Sequence, residues 1–351
     1  PTVTDADLVL GYLGADSFLG GDMRLDVEAA RRAIDERVAR PLRLTIEEAA
    51  WGIHDLVNEN MARAAAIHAL EKARRISDYT MLPIGGAGPV HAAHIALKLG
   101  LARAICPLGA GVASAFGFLA APTSFGFVQG RIEPLAQLDL AAVNAMLDRL
   151  QNEGEALLAT AGTAPEAVTV AVAAAMRYLG QGYEIDVPLP RDAIRRGDLA
   201  EIERAFDASY RQYFGRTERG MPIEIVSWRL VVSGPRAEID LGAAHSTPGA
   251  GAGAGTERGA ALDPGASADL DRGSPHPRAR RAAWFPQSGG FVDTPVFDRY
   301  RLRPGDAIAG PALLEEREST VVVPPGASAR CDGNLNLVIT LAQSAAGEHV
   351  A

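Results

Sequence analysis

The residues with the strongest claim to chemistry lie in one stretch, GGAGPVHAAH, from Gly85 to His94. A strand-like run ending in Gly85 and Gly86 lets a ligand approach the backbone, and a helix N-terminus just beyond favours negative charge. Pro89 suits the first turn of that helix, where a missing N–H leaves no bond unmade. The spacing is neither the dinucleotide fingerprint nor the P-loop, so the pattern alone serves either a nucleotide or tight packing. His91 and His94 stand three apart on the predicted helix, which brings two imidazoles toward one face, and His54 belongs to an earlier helix. A metal site is conceivable, but no third ligand is placed near them by spacing, so they read as helix histidines satisfied by hydrogen bonds or solvent and no metal site is assigned. Asp55, Asn58 and Glu59 read as the wet face of the His54 helix. Ser114, in AGVASAFG, follows a glycine turn but lacks the G-x-S-x-G spacing of a nucleophile elbow. Gly180 and Gly182 around Gln181 read as a hairpin turn, and no catalytic residue is assigned.

The elements that must position these residues are legible from periodicity. From Thr45 to Arg75 apolar residues recur at helical spacing at Ala49, Ile53, Leu56, Val57, Met61, Ala64, Ile67 and Leu70, and Thr45 with Glu48 three residues on is a capping-box signature. A strand over Tyr79–Ile84 leads into the glycine turn and its helix. A second unit follows, with a strand over Ala104–Pro107, a turn at Gly109 and Gly111, and a small-residue helix over Val112–Ala120. Two such units imply an α/β domain with ligand contacts at the strand ends. After Pro122 the texture becomes α+β, with helices near Asp139–Ala161 and Leu199–Phe214 and strands at Thr169–Tyr178, Tyr183–Leu189 and Ile223–Ser233. Residues from about Gly242 to Arg281 are rich in Gly, Ala, Ser and Pro without periodicity and read as a flexible linker. Beyond them, Pro295–Leu341 returns to short strands with Pro/Gly turns.

Composition bounds the function classes. A chain of 351 residues, 48% of them apolar, accommodates two or three domains. The net charge of -9, with no basic stripe, excludes the electrostatic footprint of a nucleic-acid binder. Two distant cysteines, Cys106 and Cys331, in apolar stretches argue against a disulfide framework and for a reducing cytoplasm. No apolar run is long enough for a membrane span, so neither membrane nor nucleic acid is expected as a partner. A chain that opens on Pro1 is expected to be a piece of a longer precursor or an internal start.

Taken in order, PTVTDADLVLGYL, FLGG, HDLVNENMARA, GGAGPVHA, PLGAGVASAFGFLAAP, MRYLGQGYEIDVPL, FDASYRQYFG, IEIVSWRL and TPVFDRYRLRPGDAIAGPALLEERESTVVVPPG resemble blocks of the hydantoinase A/5-oxoprolinase family. That group includes ATP-dependent N-methylhydantoinase, 5-oxoprolinase and subunits of acetone and acetophenone carboxylases. The resemblance covers nearly the whole chain except the linker, and it is to the C-terminal part of the A-type subunit. It implies the C-terminal half of an actin/Hsp70/sugar-kinase-like ATPase fold in residues 1–122, an α+β domain in 123–242, a flexible linker in 243–282 and a β-rich C-terminal segment in 283–351. GGAGPVHA is similar to the adenosine-binding segment, which puts Gly85, Gly86, Gly88, Pro89 and His91 at the nucleotide. The DxGGT-type block and a second phosphate block of the family have no counterpart here, so Mg²⁺ would be held mainly by residues outside this chain, which alone would not turn over ATP. A second departure, EKARRISDYT at Glu71 to Thr80, falls where the family has a Gly/Asp/Pro-containing connection. The implied activity is ATP-dependent activation of a cyclic amide, of the hydantoin or 5-oxoproline type, before ring opening. The implied partners are a B-type subunit, the N-terminal half of the A-type subunit, and a small cyclic amide or ketone. A carboxylase subunit and a non-catalytic scaffold are the alternatives.

Overall fold

The computed structural model describes residues 1–72, 74–218, 220–236 and 275–342. In chain order the helices are α1 (Val3–Val9), α2 (Val27–Ile34), α3 (Arg40–Leu42), α4 (Ile46–Glu71), α5 (Gly88–Lys98), α6 (Ala113–Ala120), α7 (Leu140–Thr160), α8 (Arg191–Arg196) and α9 (Leu199–Phe214). The strands are β1 (Arg103–Cys106), β2 (Ser124–Pro134), β3 (Thr169–Tyr178), β4 (Ile185–Leu189), β5 (Ile223–Ser233), β6 (Ala279–Phe285), β7 (Gly290–Asp298), β8 (Ala307–Ala309), β9 (Ala312–Glu315), β10 (Thr320–Val323), β11 (Ser328–Cys331) and β12 (Leu337–Thr340). The chain divides into two compact units, Pro1–Phe116 with Asp240–Ala351, and Gly117–Ile239. Among the described residues no helix is long and apolar enough to cross a membrane.

Two four-stranded sheets build the first unit. One runs β1-β12-β11-β8 and is antiparallel throughout; the other runs β10-β9-β7-β6 and contains one parallel pair, β7 with β9. Because β1 pairs with β12, Arg103 opposite Thr340, the C-terminal strands complete a sheet begun before residue 107. A four-residue strand cannot stand alone, and here Ala104 and Cys106 share one core with Ala329, Cys331, Leu337 and Ile339. β6 starts at Ala279, so residues 279–282 of the stretch read as linker are paired strand. Residues 243–274 of that stretch lie outside the described residues. The strand expected over Tyr79–Ile84 reduces to a single parallel bridge between Met81 and Ala104.

The helices of this unit carry the main departure from periodicity. Thr45 caps α4 as its spacing predicts, with the Glu48 carboxylate accepting from the Thr45 N–H at 2.8 Å and the Thr45 hydroxyl accepting from the Glu48 N–H at 3.1 Å. The buried stripe, however, is Ala49, Ala50, His54, Asn58 and Ala62, while Leu56, Met61, Ile67 and Leu70 of the apolar series are exposed. Small side chains at 50 and 62 let neighbouring helices come close, and the polar residues between them are buried with partners described below. α5 is buried nearly all round, from Pro89 to Ala96, as befits a helix covered on every side.

The second unit is a two-layer α+β arrangement. Its antiparallel sheet runs β2-β5-β3-β4. Alternate residues of β3, Val172, Ala174, Met176 and Tyr178, face a core with Leu147, Phe206, Trp228 and Leu230. Asp139 caps α7 and Asp198 caps α9, each through a side chain that accepts from backbone N–H groups of the first turn.

Candidate functional site

Three helices of the first unit converge on one buried polar cluster. α1 is short but has a complete capping box, Thr2 with Asp5, that sets its first turn and places Asp7 inward between Ala6 and Leu8. α4 supplies His54 and Asn58 one turn apart, and α5 supplies His91 and His94, all buried. His54 Nδ1 lies 2.6 Å from Asp7 Oδ1, and His91 Nε2 lies 3.4 Å from Asp7 Oδ2. On their far sides, His91 Nδ1 lies 2.8 Å from Asn58 Oδ1 and His54 Nε2 lies 3.4 Å from His94 Nδ1. The His54 and His91 rings stack at 4.5 Å. Trp51 stacks on His54, and Tyr12, whose hydroxyl donates to the Trp284 carbonyl at 2.7 Å, meets it edge-on. Asp7, His54 and His91 each offer one ligand atom, and these atoms lie within 4.8 Å of one another.

Burial and pairing compete at each group. Burial works to raise the Asp7 carboxyl, but hydrogen bonds and charge from His54 and His91 outweigh it and hold Asp7 below its ordinary range. Burial pushes His54 down against the opposing pull of Asp7, and it takes His94 down to about 3, helped by the neighbouring imidazoles. Burial and then the Asp7 charge raise the Tyr12 phenol. The cluster is therefore one carboxylate shared by two imidazoles, with a third, His94, behind His54.

A cleft of about 220 Å³ opens beside this cluster. Its walls are the chain start with Thr4, Asp7 and the Leu13–Leu19 turn, the Gly86–Ala87 turn with Val90, and the β9–β10 connection from Glu315 to Thr320. Asp7 alone belongs to both cluster and cleft. The Glu315 carboxylate is held by Arg281 at 2.9 Å and by Arg278. Glu316 accepts from the Gly109 N–H at 3.1 Å and faces buried Arg299 at 3.4 Å, and burial raises its carboxyl against that arginine. The one arginine of the lining, Arg317, is paired with Asp22 and Glu318. Among the described residues the lining thus offers carboxylates and an apolar wall, with no unpaired cation to clasp a phosphate.

The residues expected at a nucleotide separate. Gly86 lines the cleft. Gly85 takes φ +90, which only glycine adopts without strain, and its N–H donates to the Ala110 carbonyl at 2.8 Å. A Cβ on Gly86 would lie 3.1 Å from the Glu318 carbonyl oxygen, so this glycine admits the β9–β10 connection. α5 begins at Gly88, with Pro89 in its first turn. His91 points away from the turn into the buried cluster. Asn58, expected on a wet face, is fully buried, whereas Asp55 and Glu59 do sit outside, where they hold Lys98 at 2.9 and 3.1 Å. Sequence reasoning missed Asp7 and the Glu315–Thr320 segment; the only local signal for Asp7 is an acid inside an otherwise apolar, well-capped turn.

The hydantoinase/oxoprolinase family model matches residues 1–125, and that of the hydantoinase/oxoprolinase C-terminal domain matches residues 267–339. The caprolactamase subunit alpha of Pseudomonas jessenii is 28% identical over 329 residues, covering 93% of this chain and 44% of the relative. The acetone carboxylase beta subunit of Xanthobacter autotrophicus is 26% identical, covering 95% of this chain and 45% of the relative. The crystal structure of the ATP-dependent caprolactamase from Pseudomonas jessenii superposes with a TM-score of 0.69 at 28% identity, covering 97% of this chain and 46% of that one. The chain thus spans less than half the length of the relatives it matches, and the mixed α/β fold is shared with that structure.

Proposed function

This chain belongs to the hydantoinase/oxoprolinase family, and we propose that it forms part of an ATP-dependent hydrolase subunit that activates a cyclic amide by phosphorylation before ring opening. The observation that carries the reading is the cleft at the head of α5, walled by Gly86 and Ala87 of GGAGPVHA. ATP, when bound, would supply the phosphoryl group that makes the amide carbon electrophilic enough for water to add and the ring C–N bond to break, the phosphate leaving afterwards. The residues here fit its adenosine end. Leu13, Phe18, Leu19 and Val90 give an apolar wall for a base, and carboxylates beside it accept from hydroxyl groups. They do not fit the phosphates, since the lining has no free cation, and Glu315 and Glu316 are already committed to arginines. Mg²⁺ and the phosphates therefore fall to other parts of the enzyme, in keeping with a chain that spans under half of its relatives.

The test uses calorimetry of ATP binding. The chain alone is expected to bind weakly and to show no ATP turnover. Affinity is expected to rise when the polypeptide carrying the family's phosphate blocks is supplied, and a B-type subunit is the proposed partner for ring opening. Gly86→Val, whose side chain would press on the Glu318 carbonyl, is expected to remove that gain in a folded protein. Steady turnover by the chain alone, or unchanged binding by folded Gly86→Val, would overturn this placement. Similarity to the acetone carboxylase beta subunit supports a second reading, carbonyl activation for carboxylation. ATP consumption that depends on a ketone and bicarbonate, and not on a lactam, would favour it.

A further inference from the structure

We infer that Asp7, His54 and His91 form a binding site for a divalent transition metal, Zn²⁺ by ligand preference, at the inner end of the cleft. His91 Nδ1 lies 2.8 Å from Asn58 Oδ1, an atom that only accepts, so Nδ1 carries a proton and Nε2, 3.4 Å from Asp7 Oδ2, is the nitrogen open to a metal ion. A cation between Nε2 and the Asp7 carboxylate, a proton or a metal ion in its place, satisfies both atoms in this buried setting. The separation suits a metal ion: with bonds of about 2.0–2.1 Å, neighbouring ligand atoms of a tetrahedral zinc site stand about 3.3 Å apart.

His54 also has its far nitrogen on His94, while its near nitrogen is hydrogen-bonded to the same carboxylate at 2.6 Å, a proton that a metal ion would have to displace and a spacing it would have to widen. Each imidazole thus has an outer partner that orients it, the arrangement that metal-ligating histidines use to fix tautomer and ring angle. Asn58 Nδ2 and His94 Nε2 are buried without hydrogen-bond partners among the described residues, so neither outer residue is there to satisfy its own polar atoms. Two imidazole nitrogens and one carboxylate favour zinc over Mg²⁺ or Ca²⁺, which take oxygen. Three protein ligands leave a position for water or a ligand carbonyl, and Asp7 is the residue through which cluster and cleft adjoin. The inference is independent of the nucleotide reading, because it concerns the cluster alone.

The test uses the untagged full chain, stripped with chelator and titrated with ZnSO₄ by calorimetry in two buffers of different ionisation enthalpy. One equivalent is expected to bind, with proton release as the Asp7–His54 hydrogen bond is replaced. Asp7→Asn and His91→Ala are expected to weaken binding at least 100-fold, and Asn58→Ala, which supplies no ligand atom, about 10- to 100-fold. The exposed His68→Ala is expected to change nothing. Since buried substitutions can unfold the chain, Co²⁺ is also added to the wild type. It is expected to shift the His54 and His91 ring resonances and leave His68 in place. Absence of uptake by the folded wild type, uptake unaffected in folded Asp7→Asn and His91→Ala, or Co²⁺ shifts at His68 instead of His54 and His91, would each overturn the inference.

Discussion

At the depth where the second unit buries Leu147, Met176, Phe206 and Trp228, the first unit buries Asp7, His54, Asn58, His91 and His94. The second interior is chiefly apolar, with buried Glu224 paired to Arg177 at its margin. In the first, a carboxylate and three imidazoles have left water, which costs several kcal/mol for a charged group unless partners replace the lost hydration. The apolar core needs chiefly volume and shape, but the polar one needs each atom in a particular place; among the described residues Asn58 Nδ2 and His94 Nε2 there, and Trp228 Nε1 in the apolar core, are buried without partners. Proteins break their own packing rules mainly at functional sites. The contrast therefore places the candidate site in the first unit.

The contrast can be broken most directly by truncation on each side. Trp228→Ala in the second unit should cost about 3–5 kcal/mol, the usual range for emptying a large core site. Urea unfolding measures it, and a loss under 1 kcal/mol would mean that this core is not well packed. Asp7→Ala removes far less volume yet should cost about 3 kcal/mol, because it strips buried donors of their acceptor. If the loss matches that of an ordinary small truncation, the cluster is not energetically distinct.

Next in size is the effect of metal. With free Zn²⁺ at about 100 times its dissociation constant, the first unit should gain about 2.7 kcal/mol. Hydrogen exchange should show the gain at amides of α1, α4 and α5 and none in β3 or β5. Protection spread evenly over both units would show that the effect is not local to the cluster.

A last effect, confined to alkaline pH, concerns Cys106. Burial, with Arg299 opposing it, pushes the Cys106 thiol up to about 12 from its ordinary 9.0. The folded state then holds the thiol proton longer than the unfolded chain, so Cys106 costs nothing below pH 9 and removes stability as pH rises from 9 through 12. At pH 8 it should react with a thiol reagent only as the protein unfolds. Rapid labelling of the native chain at pH 8 would contradict the burial on which this rests.

How much of this was legible depends on whether the signal was local. The α4 cap needs only Thr45 and Glu48, three residues apart, and was readable. α9, β3 and β5 were readable to the residue, because each is amphipathic against a single core. The buried face of α4 was misread for the opposite reason: its inner stripe is Ala, His and Asn, while Leu56 and Leu70 face outward. Hydrophobic periodicity reports burial only where burial is apolar.

By itself the sequence determined the family, the α/β class, most helices and the glycine turn before α5, since blocks of local pattern carry all of these. Tertiary structure alone decided that Asp7 meets histidines 47 and 84 positions away along the chain at 2.6 and 3.4 Å. It likewise decided that β1 closes its sheet with β12, and that Glu315 to Thr320 walls the cleft opposite Gly86. The reason is physical: periodicity and capping are set by neighbours within a turn or two. A ligand set, by contrast, depends on where three separate helices come to rest, and that is fixed by the packing of the whole first unit.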